Sequence, residues 1–423
     1  MITTDKKRLG GSVKLEKNHQ RERITFIELG LQPLANAFLI GQYPDYEFRF
    51  NLSATFDPDS CLVALGMIPD KRMLFHDHYP YRSSMSNTMR EHFKRVAEQI
   101  KKEFSPKRVM EVGSNDGIFI KNFTPEEVVA VEPCGNFAKI TQELGYTTYS
   151  EFWDEPLKDK MLTEQGKFDV VYSANCMCHI SRLYQAFKSV QEVLNDDGVF
   201  IFEDPSLLEM LKLGSYEQIY DEHAYLFCAH SMKVFLDRAG MKIHKIEKVN
   251  THGGSNRFYA VKKESQKLKE DVDGSVADAI FEERDFGITK YVTYVSFAAG
   301  VRRNKRQLVH LLIALKKGKK NVVGYGATSK STVVYNYCNI GKSLVPYIID
   351  TTPEKQGKYS PGKSIPIVSP EQLKEKEIVP DYYLLSAWNF REEIFKKEKD
   401  FLDRGGKFIE YIPEIRIIGK EDL

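Results

Sequence analysis

The sequence predicts an α/β protein with a central doubly wound Rossmann-like domain, a small β-rich N-terminal lobe and a second Rossmann-like C-terminal domain. Two observations carry this. Residues 105–263 alternate short apolar runs with stretches of helical spacing, and the last hundred residues repeat that alternation. The chain of 423 residues is long enough for two or three domains with their own cores. The expected boundaries are 1–87 for the lobe, 88–263 for the central domain, 264–318 for a helical linker and 319–423 for the C-terminal domain.

Residues 1–20 are polar and basic and read as a mobile tail. Strand-like pieces follow at Ile24–Leu29, Glu47–Leu52 and Cys61–Leu65. The stretch from His76 to Ser86 is rich in hydroxyls and aromatics and has no periodicity. It reads equally as a polar loop before a helix and as a lid over a ligand. A helix is expected from Thr88 to about Phe104, with Ser86 or Asn87 as its cap. Central strands are expected at 108–112, 128–132, 168–173, 198–203, 242–249 and 256–262, in a parallel sheet. One long helix, about Lys290 to Lys317, links this domain to strands at 321–325, 345–350, 381–386 and 406–410.

Composition excludes several function classes. Apolar content is 42%, charged content 28% and net charge +2, so there is no electrostatic case for nucleic acid or for a membrane surface. No apolar run approaches the roughly 18–20 residues of a membrane span. Six scattered cysteines show no disulfide framework, which fits a reducing cytoplasm. A monomer or weak dimer is expected.

The chain is organised around Val109-Met-Glu-Val-Gly-Ser-Asn-Asp-Gly117, an apolar strand running into a glycine turn. Glu111 and Asp116 bring negative charge there, which disfavours a diphosphate ligand and suits a cationic one. One helix later, Val128–Val131 is followed by Glu132, placed to accept the hydroxyls of a ribose. This pairing resembles the donor site of S-adenosylmethionine methyltransferases. The later loop Gly324-Tyr-Gly-Ala-Thr-Ser-Lys330 is too short for a dinucleotide fingerprint and lacks P-loop spacing, but offers amides, hydroxyls and a lysine to an anion.

Three motifs carry polar chemistry: Asn175-Cys-Met-Cys-His179, Tyr220-Asp-Glu-His223 and His252-Gly-Gly-Ser255. If the methyl acceptor is a carbon beside a ketone, a base must first make the enolate, and His223 beside Glu222 suits that task. Cys176 and Cys178 are spaced too closely, and lack a second pair, to read as a metal site.

From about residue 24 to 415, the chain resembles the family of S-adenosylmethionine-dependent C-methyltransferases acting on nucleotide-linked 4-keto-deoxysugars. The resemblance rests on Leu29-Gly-Leu-Gln-Pro-Leu-Ala-Asn36, Tyr79-Pro-Tyr-Arg-Ser-Ser84, the Glu111–Gly117 loop and the three motifs above. It continues through Gly324–Lys330, Lys355–Gly362 and Ala387-Trp-Asn389. It implies S-adenosylmethionine as cofactor and a nucleoside-diphosphate 4-keto sugar as substrate, methylated at C3. His223 is then the base, with Glu222, Tyr220, His179, Asn175 and Tyr79 around it. Glu111, Gly113, Asn115, Asp116, Gly117, Glu132, Tyr81 and Ser83 are expected at the cofactor. His252, Gly253, Ser255, Tyr325, Lys330, Trp388 and Asn389 are expected at the substrate. The resemblance favours the lid over the plain loop at Tyr79 and Tyr81. It also implies zinc bound by two cysteine pairs in the N-terminal lobe. Here Lys14–His19 has no cysteine and Asp57-Pro-Asp-Ser-Cys61 has one, so no metal is expected. O- or N-methylation of a related sugar, and a non-catalytic binding relative, are the alternatives.

Overall fold

The computed structural model describes residues 22–41 and 46–423. The expected tail, with Lys14–His19, lies outside them. Three sheets organise the described residues.

The first sheet is antiparallel. Ile24–Pro33 pairs with Arg49–Phe56, which pairs with Val63–Leu65. Its inward set on the second strand is Phe50, Leu52, Ala54 and Phe56, the period-2 pattern of a strand with one buried face. A fourth strand, Tyr225–Leu226, comes from far along the chain and pairs with Val63–Leu65. This strand was not read from the sequence, because its partner lies far away in the chain. Phe56 stacks on Tyr294 at 4.3 Å between ring centroids, and Phe26 lies 5.1 Å from the same ring. Tyr294 belongs to the 27-residue helix Tyr291–Lys317. The lobe's core is continuous with that helix, with the C-terminal sheet and with Leu207–Tyr220 of the central domain.

The central sheet has seven strands, in the order Met241–Val249, Ser255–Lys262, Leu194–Pro205, Phe168–Ala174, Val109–Val112, Val128–Val131 and Thr147–Tyr149. The five strands from Leu194–Pro205 onward run parallel. The other two join antiparallel, unlike the expected all-parallel sheet. Five residues separate Val249 from Ser255, enough for a hairpin but not for the crossover that a parallel pair requires. Val109–Val112 lies mid-sheet and is buried on both faces, with Met110 in one core and Val109 in the other. The helix Asn87–Phe104 covers one face, capped by Ser86, whose hydroxyl accepts from the Met89 amide at 3.3 Å.

The C-terminal sheet has the order Ile367–Val368, Ile348–Ile349, Val322–Tyr325, Tyr382–Leu385, Lys407–Glu410 and Arg416–Ile418, the last strand antiparallel. The turn after Val322–Tyr325, like the one after Val109–Val112, opens toward one shared cleft. No helix among the described residues is long and apolar enough to cross a membrane.

Candidate active site

A cleft of about 1980 Å³ opens where the three sheets meet, at the C-terminal ends of the central strands. On one wall is the turn after Val109–Val112. Gly113 has φ +81°, and a Cβ there would fall 2.7 Å from Cys176 Sγ, so the turn excludes a side chain. Glu132 is buried, and each of its oxygens accepts one amide: Asn115 at 2.7 Å and Cys134 at 2.8 Å. The Cys134 thiol also bonds this carboxylate, which still has acceptor capacity for a further donor. Burial, with the Glu132 and Asp116 carboxylates nearby, holds Glu111 well above the ordinary carboxylate range, and its Oε2 has no partner. Burial also raises Glu132, against the pull of its two amides. Two dehydrated acids on one wall favour a cationic ligand.

The stretch from His76 to Ser86 lies across this wall as a strap. Asn115 Nδ2 donates to the Tyr81 carbonyl and its Oδ1 accepts from the Ser83 amide, both at 3.0 Å. Ser84 donates to Asp116. The lid reading thus fits the contacts, with Tyr79, Tyr81 and Ser83 facing the cleft.

The second wall carries the turn Tyr220–His223. Glu222 is buried and accepts from the Tyr79 phenol and from Asn36 Nδ2, both at 2.7 Å. Burial pushes its carboxyl up to about 7 despite both bonds. It does not bond the neighbouring imidazole, so its expected role in raising the basicity of His223 is not seen. Adjacent residues in this turn point apart. His223 instead places Nδ1 2.7 Å from the Gln218 carbonyl. A carbonyl only accepts, so Nδ1 holds the proton and Nε2 the lone pair. The rings of Tyr220 and His179 lie 4.1 and 5.4 Å from His223. Burial, then His179, holds His223 well below 6.5, and burial sends His179 to about 4. Both are neutral at pH 7. Dehydration of the site is the main cause for both.

His179 Nε2 and Asn175 Oδ1 are buried without partners among the described residues. Cys178, His179 and His223 bring one sulfur and two nitrogens within 4.8 Å of one another. Chain spacing hid this cluster, because His223 arrives from a different turn.

The third wall comes from the C-terminal domain. Lys330 is buried at the start of the helix Ser329–Tyr337, its Nζ 5.1 Å from the Trp388 ring centroid and without a hydrogen bond. Burial lowers its pKa to about 8, against the pull of Glu217. Glu217 accepts from Trp388 Nε1 at 2.7 Å. His252 and Asn389 complete this side.

Sequence comparison bears on the same residues. The family described as methyltransferase domain matches residues 81–246, and the one described as C-methyltransferase C-terminal domain matches 250–413. C-methyltransferase NovU of Streptomyces niveus is 32% identical over 402 residues, covering 93% of this chain and 94% of that protein. The chain belongs to the C-methyltransferase family. It is an S-adenosylmethionine-dependent C-methyltransferase. Among solved structures, an S-adenosylmethionine-dependent methyltransferase from Clostridium acetobutylicum is similar at TM-score 0.32 and 13% identity, over 41% of this chain and 91% of that one. Magnesium protoporphyrin IX methyltransferase from Synechocystis is similar at TM-score 0.33 and 13% identity, over 41% and 83%.

Several expected site residues of this C-methyltransferase stand behind the cleft rather than in it. Tyr325 donates to Glu398 at 2.9 Å and packs on Tyr383, because its strand turns that side chain into the C-terminal core. Ser255 closes the 251–255 turn through Thr251. Gly253 has φ +90°, and a Cβ there would fall 2.4 Å from Trp388, so it lets that ring close over the turn. Trp388 holds Glu217. Asp116 anchors the strap, and Gly117 turns against Thr141. Sequence reasoning missed Gln218, Glu217 and the role of Asn36. Gln218 acts largely through its backbone carbonyl, which no side-chain pattern encodes.

Proposed function

We propose that the C-methyltransferase methylates a nucleoside-diphosphate-linked 4-keto-deoxysugar at C3, the carbon next to the ketone, through an enolate formed by His223. The observation that supports it is the tautomer of His223. Its proton sits at Nδ1 on the Gln218 carbonyl, and its Nε2 lone pair remains for a substrate proton.

The donor wall fits the cofactor. Glu132 can accept from a ribose hydroxyl, Gly113 leaves room for close approach, and the acids at Glu111 and Glu132 match a positive charge. When bound, S-adenosylmethionine supplies an electrophilic methyl group on a sulfonium. The chain's residues do the rest. His223 Nε2 takes the C3 proton, and the resulting imidazolium keeps its Nδ1–H on Gln218. The negative charge left on the sugar offsets the new positive one, which balances the low basicity of a dehydrated imidazole. His179 Nε2, unpartnered beside the base, can donate to the enolate oxygen. The strap excludes water from the donor wall. Lys330 supplies the cation for the phosphates.

Incubation with candidate nucleotide 4-keto sugars and S-adenosylmethionine, read by mass spectrometry, tests this. A product heavier by one methylene, with the solvent-exchangeable C3 proton lost, is expected. A methyl found on oxygen or nitrogen rejects the reading.

A further inference from the structure

Cys178 has no part in the reaction above, yet its sulfur lies within 4.8 Å of a nitrogen from each of His179 and His223. His179 Nε2 is buried and has no hydrogen-bond partner among the described residues, and an unsatisfied buried nitrogen costs free energy. His223 presents a lone pair at Nε2, since Nδ1 is committed to Gln218. His179 is neutral and can present a lone pair at Nε2 as well. The two imidazoles line the cleft, so an ion arriving from solvent meets them first. One thiol and two neutral imidazoles form the donor set preferred by zinc and related soft divalent cations.

We propose that Cys178, His179 and His223 form a site for such a cation, and that filling it switches the base off. A tetrahedral ion with bonds of about 2.0–2.3 Å sets its ligands roughly 3.5 Å apart, so side-chain rotation closes the remaining gap. The fourth position faces the cleft and takes water. Binding breaks the Cys178 S–H bond, and the thiolate pair goes to the metal. The proton passes to Asp204, whose Oδ1 accepts the Cys178 amide at 3.4 Å and whose Oδ2 has no partner. The lone pair on His223 Nε2 is then held by the metal and cannot take a carbon-bound proton. The site is distinct from the lobe metal of the resemblance, which would sit among cysteines absent here. The inhibitory half rests on His223 being the base; the binding half does not.

The test uses the full chain, stripped with a chelator, then titrated with cobalt(II) as a coloured stand-in for zinc. One equivalent should give tetrahedral ligand-field bands and a thiolate-to-cobalt charge-transfer band. Cys178→Ala should lose the charge-transfer band and weaken binding by at least about 100-fold, more than a lost outer partner would cost. Unchanged S-adenosylhomocysteine affinity in that variant shows that it is folded. Zinc should suppress wild-type turnover, a chelator should restore it, and Cys178→Ala should turn over in zinc. No thiolate band, or a band retained in Cys178→Ala, overturns the site. A site that binds cobalt without zinc inhibition overturns the switch. Continued turnover of His223→Asn alongside the cobalt band removes the base reading and leaves the site standing.

Discussion

His223 Nδ1 lies 2.7 Å from the backbone carbonyl of Gln218, and this contact sets which ring nitrogen is free to react. A backbone acceptor cannot titrate or change identity by substitution. The tautomer is therefore fixed by the fold of the 215–223 turn.

His223→Asn should lower turnover by roughly 10²–10⁴, the range for losing a general base. S-adenosylhomocysteine affinity, read by calorimetry, should be unchanged, because the donor wall is built from other residues. Wash-in of solvent deuterium at the carbon beside the ketone should stop. Exchange at the wild-type rate would transfer the role to Tyr220 or His179.

Glu132→Ala should weaken S-adenosylhomocysteine binding by roughly 1.5–3 kcal/mol, the worth of hydrogen bonds to a charged acceptor. The variant also strands the Asn115 and Cys134 amides, so Glu132→Gln is the companion. It keeps the shape and removes the charge. Equal affinity in all three proteins would exclude Glu132 from the donor site.

Substrate binding should depend on pH, with Lys330 as the proposed phosphate ligand. Its pKa is lowered to about 8, so the ammonium is charged below that value and neutral above it. A diphosphate is held by the charged form. The ratio kcat/KM should therefore fall as pH rises through about 8, a limb reporting the free enzyme. Lys330→Met should lower the ratio at pH 7 and flatten that limb. A limb of undiminished size in the variant assigns the titration elsewhere.

Gly253→Ala should destabilise the fold. The new Cβ meets the Trp388 ring at 2.4 Å and the residue must keep φ +90°. Backbone strain of this kind costs about 1–3 kcal/mol. Thermal unfolding should show the loss, and the Trp388 bond to Glu217 should weaken with it. An unchanged melting temperature would mean that the ring has room to move.

The sheets were legible where strands are long and apolar. Val109–Val112 and Phe168–Ala174 stand out because both faces are buried, leaving a continuous apolar run. Thr147–Tyr149, Ile367–Val368 and Tyr225–Leu226 were not, although Val63–Leu65 and Ile348–Ile349, which are just as short, were read within longer apolar runs. Around the site, short motifs marked His223, Glu222, Tyr79 and Lys330, all of which line the cleft. Pairings between distant turns stayed hidden: Asn36 with Glu222, Glu217 with Trp388, and Cys178 with His223. Strand alternation was the rule available for Tyr325, and the local sequence does not say which of its two faces meets the cleft.

The strand Tyr225–Leu226 begins two residues after His223 and completes the N-terminal sheet by pairing with Val63–Leu65. Asn36 and Tyr79, from the same lobe, clasp the carboxylate next to the proposed base. The lobe is thus not a detachable module. Recombining residues 22–86 with those of a relative would transplant part of the catalytic turn's own scaffold, so chimeras joined at the lobe boundary should lose turnover even when both parents are active. Productive crossovers would carry the 215–228 segment along with the lobe, two stretches far apart in the gene and inherited as one unit.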